Sequence, residues 1–140
     1  MAKFTIRVYG IASHNGKILL SKERIKGAYY LKFPGGGLEF GEGTRDALTR
    51  EFLEEANAEV EVLEHFYTTD FFQPSTFHAE PIQVLSVYYK VRLFYPNQPL
   101  ISDDKQTFIW IDEGQLTPDR MDLPIDQKVV ELWQFRKQAP

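Results

Sequence analysis

With 140 residues, 43% of them hydrophobic and 26% charged, the chain has the size and composition of one globular domain, residues 1–140, with its own core. It contains no cysteine, which excludes disulfides, thiol nucleophiles, zinc–thiolate sites and iron–sulfur clusters and fits a cytoplasmic protein. A net charge of −4, with Lys and Arg scattered rather than gathered in a stripe, argues against a nucleic-acid polymer as partner. It leaves room for a small anionic substrate if a bound cation supplies positive charge locally.

Met1–Ile11 mixes Lys3 and Arg7 into an alternating apolar pattern, without the apolar run of a secretory signal. No stretch approaches the roughly 18 apolar residues of a membrane span, so no membrane partner is expected. Phe4–Ile11 reads as a strand with Phe4, Ile6, Val8 and Gly10 on one side. Asn15-Gly16 is a hairpin turn, because both residues accept positive φ, and Lys17–Ser21 returns as a second strand. A polar loop at Lys26-Gly27 leads through Tyr29–Phe33 to Pro34-Gly35-Gly36-Gly37. Three consecutive glycines lose too much backbone entropy for a helix or strand, so they mark a loop that bends sharply or lies close to something.

From Thr44, read as an N-cap, a helix runs to Ala56, with Leu48, Phe52 and Ala56 as its buried stripe. Asn57 suits the left-handed residue that closes it. Glu59–Phe66, Pro81–Tyr95 and Thr107–Ile111 read as strands, the second apolar on both faces and hence covered on both. Leu123-Pro124 opens a final helix with Ile125, Val129, Leu132 and Trp133 inward. Strands dominate, with one helix in the middle and one at the end, which implies an α/β fold with a mixed sheet and helices on its faces.

The chemistry lies between Gly36 and Ala58. Glu54 and Glu55 follow Glu51 by three and four residues, so the three carboxylates share one helix sector. That sector is turned about a quarter to a third of a revolution from the apolar stripe. Like charges so placed cost roughly 0.2–0.5 kcal/mol per exposed pair, which a helix without a task avoids. Hard divalent cations want oxygen ligands, and magnesium typically takes one or two carboxylates with waters and substrate phosphate oxygens. Glu39 and Glu42 precede the helix, and Arg50 is placed to pair bidentately with Glu42 and anchor the loop. For the three glutamates alone a solvated acidic face is the simpler reading. Glycine loop, Glu42 and Arg50 in register favour a magnesium-assisted phosphoryl-transfer site.

In register, these residues are Gly36, Glu42, Arg50-Glu51, Phe52-Leu53, Glu54-Glu55, Ala56, Asn57 and Ala58. The segment resembles the box of the Nudix family, MutT-like proteins included, which runs Gly, five residues, Glu, seven residues, Arg-Glu, an apolar residue, any residue, Glu-Glu, any residue, Gly and an apolar residue. Six fixed positions coincide by chance on the order of 10⁻⁷ per starting point at ordinary residue frequencies. Asn57 stands where the family has its closing Gly, and Ala58 is a minimal apolar residue.

The resemblance implies an α/β/α sandwich. It also implies a pyrophosphohydrolase that cleaves a diphosphate linkage in a nucleotide-like small molecule by water attack at phosphorus, using Mg²⁺ with Mn²⁺ as an alternative. Carried over by position, Glu51, Glu54 and Glu55 hold the metal, Glu54 and Glu51 are the catalytic candidates, and the Gly36 carbonyl is a further metal ligand. Glu42 and Arg50 are supporting residues. A homodimer is the expected assembly. The competing reading is a Nudix-like module that binds or senses a nucleotide with weak or no turnover.

Outside the box the residues are less directive. Phe66–His78, with Tyr67, Phe71, Phe72 and Phe77, either stacks a substrate ring or packs on the protein itself or a partner subunit. His14 is read as exposed, His65 and His78 are assigned to no metal, and Glu113 reads as a surface residue ahead of an extra base. Trp110 and Trp133 are core residues first.

Overall fold

The computed structural model describes residues 3–138. Strand β1, Lys3–His14, uses both faces: Val8 and Ala12 point into one apolar layer, Tyr9 and Ile11 into the other. Asn15 (φ 50°) and Gly16 (φ 74°) turn the chain into β2, Lys17–Ile25. Lys26 and Gly27, also at positive φ, turn it again into β3, Ala28–Lys32. Then follow β4 (Gly35–Gly37), α1 (Thr44–Ala56), β5 (Val60–Thr68), β6 (Ile82–Leu93), β7 (Gln106–Asp112), two short 3₁₀ turns, and α2 (Pro124–Gln138).

The strands form a seven-stranded mixed sheet of order β3-β2-β1-β6-β5, with β4 paired to β1 and β7 to β2. Among the described residues β1 and β6 run parallel and the other pairs are antiparallel. Along one edge of β1, residues 7–9 pair with β4, whereas only Ser13 and His14 pair with β2. The β2–β3–β7 leaf therefore leaves β1 at its far end, and a cavity opens between that leaf and the β1–β4 leaf.

Helix α1 covers one face, packing Ala47, Leu48, Phe52 and Ala56 on Val8, Leu19, Tyr89 and Val91. Helix α2 covers the other, with Ile125, Val129, Val130 and Trp133 on Ile11, Leu20, Phe66 and Tyr88. This is the expected α/β/α sandwich. Gly10 permits the α1 contact, since a Cβ there would stand 2.7 Å from the Phe52 ring.

Two local expectations are corrected. The triple glycine is not a loop: Gly35–Gly37 pairs with Tyr9–Arg7 as a strand, and close approach of neighbouring groups outweighs the entropy cost. Gly43, not Thr44, is the N-cap of α1, and the Thr44 hydroxyl bonds Tyr89 Oη at 2.7 Å instead. Phe4 lies on the expected strand but is 76% exposed, because the apolar alternation of β1 runs on past the part of the sheet that α1 covers.

Asn57 closes α1 in the left-handed conformation (φ 55°, ψ 40°), its N–H on Leu53 O and that of Ala58 on Phe52 O. Asn57→Val is therefore expected to cost more than about 1 kcal/mol and Asn57→Gly no more than a few tenths. Urea melts check this, and equal midpoints for wild type and Asn57→Val would contradict it.

Candidate active site

The loop from β4 into α1 is held by one side chain. Arg50, on the second turn of α1, donates from Nε to Glu42 Oε2 (3.0 Å) and from Nη2 to Glu42 Oε1 (2.6 Å), the bidentate pairing its position suggested. Nη2 also reaches the Gly37 carbonyl at 2.9 Å, which ties the end of β4 to the helix. Nη1 donates to Glu51 Oε1 (3.1 Å) and Glu54 Oε2 (3.2 Å). Glu42 in turn accepts the Glu39 N–H at 2.9 Å. Hydrogen bonds from Arg50 and from that N–H hold the Glu42 carboxyl below the usual range, and the Glu42 bonds raise the Arg50 guanidinium further above its own.

Glu51 is the buried carboxylate of the set, 8% exposed. It lies on the backbone of Gly36, where a Cβ would stand 2.3 Å from its Cδ and Oε2. Gly36 is thus a steric requirement of the site: no other residue leaves space for this carboxylate. Burial pushes the Glu51 carboxyl up, and the Arg50 hydrogen bond only partly opposes that. Gly36 pairs with Val8 in the ladder, between the flanking bonds Gly10 N–H to Pro34 O and Leu38 N–H to Ile6 O. That register gives the Gly36 carbonyl the Val8 N–H as a ladder partner, which leaves the second lone pair of the oxygen.

Glu54 and Glu55 are exposed on the following turn. Among the described residues no three carboxylate or imidazole groups converge closely enough to enclose an ion as they stand. The donor set nevertheless fits a hard cation: carboxylate and peptide oxygens, one carboxylate desolvated and short of positive charge, and two neighbours free to swing inward.

Behind β4, on the α2 side of the sheet, lies a cavity of about 350 Å³ lined by Arg7, Tyr9, Glu23, Lys32, Gln73 and Phe77, among others. Lys32 is buried and pairs with Glu23 at 3.3 Å. Beneath it Asp126, wholly buried in the first turn of α2, accepts bonds from the Tyr88 hydroxyl and the Phe33 N–H. Burial pushes the Asp126 carboxyl up to about 6 despite the Tyr88 bond and the nearby Lys32.

The aromatic segment divides between its two readings. Phe66 and Tyr67 are core, Phe72 is exposed, and Phe77 meets Tyr30 edge-on at 5.0 Å while lining the cavity. Glu113 accepts from Trp133 Nε1 (3.0 Å) and pairs with Lys137 (2.7 Å), the surface role expected of it. His14 is half-buried and tilts against Trp110 rather than standing free.

Arg7, Lys32 and Asp126 were not singled out by spacing, because a charged residue in an alternating strand reads as solvent-facing and an Asp in the first turn of a helix reads as a dipole partner. No local signal marks them: Lys32 between Leu31 and Phe33 is the ordinary alternating pattern, with both apolar neighbours on the opposite face.

The NUDIX domain model matches residues 2–133. No curated protein matches the chain significantly. Among solved structures, the chain is similar to the E. coli ORF135 protein, with TM-score 0.73 and 22% identity over 98% of this chain and 93% of that one. It is similar to a MutT protein from Methanosarcina mazei Go1, with TM-score 0.75 and 15% identity over 97% and 96%. An ADP-ribose pyrophosphatase from Streptococcus suis 89-1591 gives TM-score 0.67 and 16% identity over 96% and 92%.

Proposed function

The chain belongs to the Nudix family, and on that premise we propose that it is a divalent-metal-dependent hydrolase cleaving the diphosphate linkage of a nucleoside diphosphate derivative or related small phosphorylated metabolite. The observation that carries this reading is the Glu51 carboxylate, buried on Gly36 beside two further glutamates and faced by a single arginine. Burying a carboxylate with so little compensation is costly, and a cation-binding task accounts for it.

Glu51, Glu54 and Glu55 would hold the cation, Mg²⁺ or Mn²⁺, with the Gly36 carbonyl as a further donor; Gly36 also leaves the space that Glu51 fills. When bound, the cation supplies charge to the phosphate oxygens and lowers the pKa of water. Of the two catalytic candidates, Glu54 and Glu51, the exposed Glu54 would take the proton of the attacking water. Arg50 keeps the loop and the helix face in fixed relation through Glu42 and Gly37. The cavity behind β4 is the enclosed space next to this face and would take the remainder of the substrate. The ADP-ribose pyrophosphatase among the similar folds belongs to the same substrate class.

The test is turnover of a panel of nucleoside triphosphates, nucleotide sugars and ADP-ribose, with and without Mg²⁺, in ¹⁸O-water. Turnover is expected only with metal, with the label in a phosphate product, because no nucleophile–base pair is evident at the acidic face among the described residues. Trapping of a phosphorylated or nucleotidylated protein would overturn direct water attack. Binding without turnover across the panel would establish the sensing module instead.

A further inference from the structure

Arg7 is a half-buried cation in a cavity wall that no carboxylate pairs directly among the described residues. Its Nε donates to Tyr9 Oη at 2.7 Å, and its guanidinium lies 5.6 Å from the Tyr9 ring centroid. Tyr9 is itself fixed, buried and stacked on Tyr88 at 5.2 Å. Among the described residues Arg7 forms no ion pair, whereas Lys32 beside it is matched by Glu23. Arg50, the other arginine at this strand, is spread over several carboxylates. In a chain of net charge −4 an arginine without a carboxylate is not forced by composition. Half-burying it in a cavity wall costs hydration, which the Tyr9 contacts return at Nε and the ring but not at the two terminal nitrogens.

Position gives the unmatched charge a use. Arg7 pairs with Gly37 across the β1–β4 ladder, and its Nη1 stands 3.8 Å from where a Gly37 Cβ would be. One residue earlier on β4, Gly36 carries the Glu51 carboxylate on the opposite side. The guanidinium and the acidic face thus flank successive residues of one short strand. With Nε committed to Tyr9, the two terminal nitrogens remain as a planar fork, the geometry that matches two oxygens of a phosphate.

We propose that Arg7 is a phosphate-binding residue of the cavity, taking one phosphate of a diphosphate substrate through its terminal nitrogens while the acidic helix face serves the other side. Tyr9 is a positioning residue that aims the guanidinium. The proposal rests on the hydrolase reading for its substrate class, but the binding it describes needs no metal and no turnover.

The experiment is therefore titration calorimetry in excess chelator with inorganic pyrophosphate, ADP and adenosine. Wild type is expected to bind pyrophosphate and ADP, and Arg7→Gln to bind both at least tenfold more weakly while adenosine affinity is unchanged. Arg7→Lys keeps the charge but not the fork, and is expected to weaken pyrophosphate at least threefold; it also serves if Arg7→Gln does not fold. Tyr9→Phe should weaken pyrophosphate less than Arg7→Gln does. Lys128→Gln, at an exposed lysine of α2 that does not line the cavity, should bind both probes like wild type, which separates the Arg7 effect from a general loss of positive charge. The proposal is overturned if wild type binds neither phosphate probe, if the Arg7 variants bind pyrophosphate like wild type, or if ADP and adenosine lose affinity equally in Arg7→Gln.

Discussion

Glu54→Gln is expected to lower metal-dependent hydrolysis by at least about two orders of magnitude, the usual scale when preorganised charge is removed from a transition state. Its effect on the metal-free protein should be small. Glu54 is exposed, and its one ion pair, with Arg50 at 3.2 Å, is a surface helical pair whose loss shifts stability by no more than about 0.5 kcal/mol. Spacing alone suggests three uncompensated carboxylates, and hence a gain in stability on neutralising one. Arg50 bonds two of them, so that gain is largely cancelled at Glu54.

Glu51→Gln should abolish turnover as fully but differ in its pH profile. Burial raises the folded-state pKa of Glu51 above its unfolded value, so the native state holds the proton more tightly. The resulting penalty is absent below the unfolded pKa, grows as pH rises through the window between the two, and is complete above the folded pKa. Glu51→Gln removes this stretch of the stability–pH curve and Glu54→Gln retains it. Excess Mg²⁺ should raise the wild-type melting temperature by mass action and raise that of either variant less. Full turnover in either variant would remove the metal assignment and most of the case for an enzyme.

Much of this site was legible in the sequence, for a physical reason. An acidic triad, a bidentate arginine and a glycine run are local features, separated by one or two helical turns and one loop, so spacing alone fixes which side chains can meet. The Arg50–Glu42 clasp and the left-handed Asn57 follow from such local rules. The cavity was not legible, because its walls come from β1, β2, β3 and the segment after β5, which only the sheet order brings together. Arg7 and Lys32 look like solvent-facing positions until β4 is known to leave the β1 edge before β2 joins it. The triple glycine misled for a related reason. Backbone entropy argues against a strand, but the choice between loop and strand depended on what approaches those three residues, which propensity does not contain.

What approaches them gives the sharpest contrast available in the molecule, between Gly35→Ala and Gly36→Ala. At Gly35 an added Cβ would stand 2.0 Å from the Val8 carbonyl oxygen and 2.8 Å from Tyr9 Cα. Both are backbone atoms of the central strand and cannot yield without breaking the β1–β4 ladder. Overpacking of this kind typically costs 1–3 kcal/mol even where side chains can adjust, so Gly35→Ala is expected to cost more than about 2 kcal/mol. At Gly36 the collision is as close, 2.3–2.5 Å, but every atom met belongs to the Glu51 carboxyl group. That group ends a flexible side chain and regains hydration by swinging outward, while the unfolded chain loses the extra entropy of a glycine. Gly36→Ala should therefore change stability by less than about 1 kcal/mol in chelator. Its turnover should nevertheless fall about a hundredfold, because displacing a catalytic carboxylate by an ångström or more has that effect. Melts and rates on the two variants decide the matter: Gly35→Ala loses stability first, Gly36→Ala loses turnover while staying folded. A folded Gly36→Ala protein with wild-type turnover would mean that the seat of Glu51 on this glycine has no part in the reaction.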